Sequence, residues 1–169
     1  PIMIDLETTV KWLMALVIGV ALSGCDCESG PDQTVVISGE TFTLEVASTE
    51  AAIQRGMGGR ETIARDRGML FVFPEARSRR FWMKNCIIPL DIMFLDGRGR
   101  ITAIHQMPAE PLQTETETLS EYEDRLPGYR SLLGAQYAIE LEYGRITALG
   151  LKSGDKIEMP LDCLKKRLP

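Results

Sequence analysis

The chain has 169 residues, with 19 basic and 24 acidic side chains and a formal net charge of -5. That length suits one ordinary domain with an appendage. The acidic balance argues against bulk phosphate binding, so no nucleic-acid partner is expected.

The appendage is N-terminal. An apolar segment over residues 12–22 follows Lys11 and ends in Ser23-Gly24-Cys25. It falls well short of the about 20 residues that cross a hydrocarbon core, so it reads as the core of a signal peptide. Leu22-Ser23-Gly24-Cys25 has the form of a bacterial lipobox, in which small residues precede a cysteine that accepts a diacylglycerol. The predicted organisation is a signal peptide over 1–24, a lipidated Cys25 with a polar tether over 25–33, a β domain over 34–160 and a C-terminal tail over 161–169. An ordinary secretory signal with a chance cysteine is the alternative. Two or more acyl chains hold a protein on a bilayer where one does not. The expected location is therefore the bacterial cell envelope, on the periplasmic side, with Asp26 favouring the inner membrane. With Cys25 acylated, Cys27, Cys86 and Cys163 remain, and an odd number cannot all pair. A Cys86–Cys163 disulfide is one expectation. The other is a buried Cys86 thiol and a free Cys163.

Residues 34–38 and 41–47 flank Gly39-Glu40, and Phe42, Leu44 and Val46 alternate with polar neighbours, which predicts a hairpin with one buried face. Ser48 or Thr49 caps a short helix over 50–55, and the glycines between 56 and 59 turn the chain. Apolar runs at 69–73, 81–83 and 90–95, punctuated by Pro74, Pro89 and Gly97, have strand length and strand composition. Residues 77–80 (RSRR) form a basic loop. Residues 90–95 and 101–107 flank Asp96-Gly97-Arg98-Gly99 as the clearest hairpin, and because the first arm is apolar on both faces, Asp91 requires a partner. The acidic stretch 113–124 predicts a mobile loop and lacks the spacing of a calcium site. A strand over 136–143 places Tyr137, Ile139 and Leu141 on one face. A helical turn over 145–149 and a last strand over 156–159 follow. The expected architecture is mainly β, an antiparallel sandwich or distorted barrel of six to seven strands with two short helices.

Gln54-Arg55-Gly56, Arg60, the 68–74 run, Phe81-Trp82-Met83-Lys84-Asn85, Ile88-Pro89-Leu90-Asp91-Ile92, Asp96, Gly99, Ala138-Ile139-Glu140-Leu141 and the 150–155 run resemble the DUF192 family over about residues 42–159. The resemblance implies a compact, mainly β fold often found with export signals, and no established activity. The chain departs from the family pattern in carrying Cys86 where threonine is usual, Gly56-Met57-Gly58 where Gly-Leu-Met is usual, and the acidic segment 113–124.

Trp82, Lys84, Asn85 and Asp91 are the candidate ligand-binding residues: a flat ring, a point charge, an amide and a carboxylate suited to a small polar ligand such as a saccharide or peptidoglycan fragment. The competing expectation is structural, with Lys84 and Asp91 paired, Asn85 capping backbone and Trp82 in the core. No catalytic residue is assigned. A Cys86–His105 dyad and an Asp91–Glu140 carboxylate pair are the weighed alternatives. Met57, Met69, Met83, Met93 and Met107 with His105 are weighed as a Cu(I) site and set aside as core filling, so no metal and no cofactor are expected. The function so read is an exported, lipid-anchored envelope module binding a small polar ligand or partner. The alternatives are an accessory subunit of an envelope assembly engaged through the 77–80 loop, and an envelope hydrolase.

Overall fold

A computed structural model describes residues 30–169. Strands β1 (Asp32–Ile37) and β2 (Glu40–Ala47) form the first hairpin, closed by Ser38 and Gly39 with φ of 49° and 81°. A two-residue turn with both φ positive matches the right-handed twist of the strands it joins. Thr49 accepts a hydrogen bond from the Ala52 amide at 3.3 Å and so starts helix α1 (Glu50–Arg55). The helix and the segment after it carry the chain back along the sheet, and strand β3 (Arg67–Arg77) therefore runs parallel to β2. Strand β4 (Arg80–Phe81) leaves the main sheet. Strands β5 (Leu90–Leu95) and β6 (Ile101–Met107) form the second hairpin, whose turn is held by Asp96 Oδ1 accepting from the amides of Arg98 and Arg100 at 2.8 and 2.9 Å. Helix α2 (Leu119–Arg125) leads to strand β7 (Tyr129–Arg130), which pairs with β4. Strand β8 (Ala135–Glu142) inserts between β3 and β5, and the short helices α3 (Arg145–Ala148) and α4 (Leu161–Lys165) follow.

The main sheet has the order β1-β2-β3-β8-β5-β6, with the β4-β7 ribbon as a second small sheet. The mainly β class stands, as eight strands and four short helices among the described residues. The sheet is open and mixed: β2 against β3 is its one parallel pairing. Every residue of β5 is buried, as a strand covered on both faces requires.

Alternation along the central strands builds two cores. On one face Leu70 and Val72 of β3, Met93 and Leu95 of β5 and Tyr137, Ile139 and Leu141 of β8 pack with Ile146 and Leu164. On the other, Met69, Phe71 and Phe73, Leu90, Ile92 and Phe94, and Ala138 pack with Met57, Met83 and Cys86. The first face is closed by α3 and α4. The second is roofed by α1, the chain after it and the β4 region, with Ile53, Ile63 and Phe81 packed against it.

Three expectations change. The Cys86–Cys163 bridge is not formed: Cys86 is a free buried thiol, and Cys163 is disulfide-bonded but not to it. The two lie in different layers, since Cys86 belongs to the second core and Cys163 precedes Leu164 of the first. The acidic segment holds ordered helix. Thr118 and Glu121 form a reciprocal capping box at the start of α2, Glu117 pairs with Arg125 at 2.6 Å, and Tyr122 is buried. The last predicted strand is reduced to isolated bridges, Val36 with Glu158 and Arg100 with Lys156.

Candidate functional site

The roof over the second core does not seal. Where the end of α1 meets the start of β4 there is a cavity of about 230 Å³, lined by Gln54, Arg55, Gly56, Met57, Phe71, Arg80, Phe81, Trp82, Met83, Lys84, Cys86, Leu90 and Glu140. An open groove continues from it past Gly58, Gly59 and Asn85 to Glu123 of α2. Two glycines lie against the cavity's lining residues. Gly56 ends α1 at φ 50°, and a Cβ there would stand 3.7 Å from the Phe71 ring and 4.0 Å from Glu140 Oε2. Gly128 lies under Arg80, where a Cβ would come within 2.0 Å of Nε.

Glu140 is the unusual group at the floor. In β8 it sits between strands β3 and β5, paired in register with Met69 and Ile92, and only 5% of it is exposed. Its Oε2 has no hydrogen-bond partner among the described residues. Burial pushes its carboxyl up to about 8, with Arg60 holding it back in part. At neutral pH the group is mostly the protonated acid, able both to donate and to accept. Burial, with Glu140 nearby, also pushes the Cys86 thiol up to about 11, and its Sγ donates to the Ile88 carbonyl at 3.4 Å. A buried protonated thiol is a packing group, not a nucleophile.

The mouth has the opposite character. Trp82 is 38% exposed, with the guanidinium of Arg80 at 5.7 Å and the Lys84 ammonium at 5.9 Å from its ring. Lys84 forms an ion pair with Glu123 of α2. Asn85 takes φ of 56°, a region that asparagine tolerates, and its backbone ties the groove together: its amide donates to the Tyr122 hydroxyl at 2.8 Å and its carbonyl accepts from the Gly59 amide at 2.9 Å. Arg55 adds a third cation, only loosely paired with Glu45 at 3.8 Å.

Of the four residues predicted to bind ligand, the structure brings together Trp82, Lys84 and Asn85. Asp91 stands apart. It is fully buried on the other face of the sheet, where Oδ2 accepts from the Ile146 amide in the first turn of α3 at 2.8 Å. The partner expected for Lys84 is thus replaced by Glu123, and that for Asp91 by a backbone amide. Asp91 and Glu140 project to opposite faces and form no pair, since Asp91 is in register with Leu141. His105 lies in β6 beside Phe94 and Tyr129, its Nε2 donating to the Arg130 carbonyl at 2.7 Å, and does not line the cavity with Cys86. The methionines divide between the two cores, with Met93 on the first face and Met57, Met69, Met83 and Met107 on the second. No cluster of three or more His, Cys, Asp or Glu suited to a metal occurs among the described residues. Cys25 lies outside the described residues.

Sequence reasoning does not place Gln54, Arg55, Arg80 or Glu140 among the ligand-binding residues: it weighs Glu140 only as a carboxylate partner of Asp91, and Arg80 only as part of the basic 77–80 loop. For Glu140 a signal existed: Ala138 and Glu140 alternate with the apolar face of β8, and a strand central in its sheet must bury both sets. What the arrangement offers chemically is a narrow pocket with a neutral acid at its base, aromatic and thioether walls and a cationic rim.

Solved structures share this fold. A protein from Sinorhizobium meliloti 1021, which its name proposes to be a transcription regulator, is 30% identical with a TM-score of 0.60, covering 77% of this chain and 92% of its own. A protein of unknown function from Novosphingobium aromaticivorans DSM 12444 is 29% identical with a TM-score of 0.61, covering 76% and 83% respectively. No curated protein of established function matches the sequence. The profile of DUF192, described as Uncharacterized ACR, matches residues 33–159, which include every residue that lines the cavity and groove. The chain belongs to the DUF192 family.

Proposed function

We propose that this protein is a lipid-anchored binding module of the bacterial cell envelope, and that its cleft takes a small polar ligand with hydroxyl or amide groups and an anionic end, as an acidic saccharide or peptidoglycan fragment has. One observation carries the reading: Glu140, buried with an unpartnered oxygen, lines the cavity that opens at Trp82. A buried polar atom without a partner is costly, and a ligand group reaching the floor of the pocket would satisfy it. The face of a sugar ring stacks on Trp82, and its carboxylate meets Arg55, Arg80 or Lys84. The apolar segment over residues 12–22 and the lipobox pattern Leu22-Ser23-Gly24-Cys25 support the envelope address. The regulator name of the Sinorhizobium relative is not carried over, because the net charge of -5 and the acidic α2 segment beside the groove oppose nucleic acid.

Thermal shift of the full chain in detergent against peptidoglycan fragments and envelope saccharides tests this. A ligand at a hundred times its dissociation constant adds about 2.7 kcal/mol. The shift is expected to shrink in Trp82→Ala and Lys84→Ala. Absence of any shift across such a panel would count against the module. The same Glu140 favours a second reading, since a protonated carboxyl in an apolar pocket is the equipment of a general acid. Glu140→Gln separates them: a binding module keeps most of its affinity, whereas an envelope hydrolase keeps affinity and loses turnover of the bound fragment.

A further inference from the structure

The turn that follows β7 breaks two rules at once. Leu132 has φ of 60°, a region a bulky side chain enters only under strain, and it stands at the apex of a three-residue turn in which the Leu133 amide donates to the Ser131 carbonyl at 2.6 Å. Strain of this kind persists where surrounding structure imposes it. Here Ser131 does so: fully buried, it donates its amide to the Arg79 carbonyl and accepts the Arg79 amide on Oγ, both at 3.0 Å. Yet the strained leucine buries nothing. Leu132 is 74% exposed and Leu133 64%, the highest values among the exposed large hydrophobic residues described.

The surroundings say what would cover them. Backbone pairing of Arg77 with Ala135, of Arg79 with Ser131 and of β4 with β7 places the backbones of Arg77, Arg79 and Arg130 next to the turn, while the Arg80 guanidinium lies over Trp82 at the cleft mouth. Arg77 pairs with the exposed Glu75 at 3.3 Å, and Arg79 lies 4.0 Å over the Phe73 ring and donates to the Glu75 carbonyl, but none of the ion pairs among the described residues involves Arg79 or Arg130. Two apolar tips with arginines of the neighbouring backbone beside them are too small for a stable protein interface, which buries about 800 Å² a side. They suit a lipid surface, where the tips enter the acyl boundary and the guanidinium groups meet phosphates.

We infer that the Leu132-Leu133 turn with its arginines is a docking tip for an anionic lipid surface, seating the domain on the membrane. The inference shares the membrane address of the proposed function but does not depend on the cleft or on acylation. The test uses the full chain carrying Cys25→Ser, with vesicles of phosphatidylcholine alone and of equal parts phosphatidylcholine and phosphatidylglycerol. Binding to the mixed vesicles is expected to exceed binding to the neutral ones, and high salt is expected to remove the excess. Leu132→Asp with Leu133→Asp is expected to cut that excess at least about tenfold. Leu132→Gly relaxes the turn and removes one tip, and should lower the excess less, with folding intact. An excess that survives both variants overturns the proposal. So does the absence of any preference for the mixed vesicles, which would leave a protein as the occupant. Whether the unsubstituted chain incorporates a labelled fatty acid tests the anchor separately, so the two failures are distinguishable.

Discussion

The sheet carries two buried carboxylates on neighbouring strands, and their fates differ. Asp91 of β5 projects into the closed face, where a backbone amide of α3 meets it. Glu140 of β8 projects into the open face, where its Oε2 has no partner among the described residues and a cavity lies in front of it. Burial alone does not separate them. Nor does an unpartnered oxygen, since Asp91 Oδ1 also lacks a partner among the described residues; what separates the two is the fixed donor to Asp91 Oδ2 and the space that lies in front of Glu140. The charge placed most prominently in the sequence, Asp91 within the Pro89-Leu90-Asp91 run, is the architectural one.

The comparison breaks or sharpens under four changes. The largest effect is in pH. The folded carboxyl of Glu140 is raised to about 8, so between its unfolded value near 4.5 and about 8 the folded state holds a proton that the unfolded state has lost. Stability from this group is therefore fully present at low pH and falls by on the order of a few kcal/mol as pH rises through that window. Chemical denaturation at intervals from mildly acidic to mildly alkaline pH should show this fall in the wild type and not in Glu140→Gln. Parallel curves would mean that Glu140 ionises normally. Next, Asp91→Ala should cost about 1–3 kcal/mol by stranding the Ile146 amide, without changing ligand response in the thermal-shift assay. If it removes ligand binding while leaving the denaturation midpoint alone, the two carboxylates have been assigned the wrong way round.

Lys84→Ala should cost less than about 1 kcal/mol, since its pair with Glu123 is only partly shielded, and yet weaken ligand binding. A large drop in melting temperature without a binding defect would make Lys84 a structural clamp on α2. The smallest effect is expected for Cys86→Thr, which keeps a donor for the Ile88 carbonyl and should shift stability by under about 1 kcal/mol. In the native protein this thiol, raised to about 11, should resist alkylation at neutral pH; rapid modification would show that the cavity opens further than the structure indicates.

The amino-acid pattern alone carried the mainly β class, both hairpins, the cap at Thr49 and the stretch that holds Trp82, Lys84 and Asn85, because each rests on short-range physics: period-two alternation, turn residues and side chains close in sequence. Helix α2 was also legible in that way, through Thr118 and Glu121 at capping-box spacing, but its acidic composition masked the signal. The tertiary structure decided the rest. That β8 enters between β3 and β5, that Lys84 pairs with Glu123 rather than Asp91, and that Cys86 and Cys163 lie in different layers are all outcomes of strand order. Strand order is set by which faces find cover across the whole chain, and no local pattern encodes it. Glu140 looks like any polar residue of a half-exposed strand until neighbours on both sides bury it, and only then does an ordinary glutamate become the floor of a site.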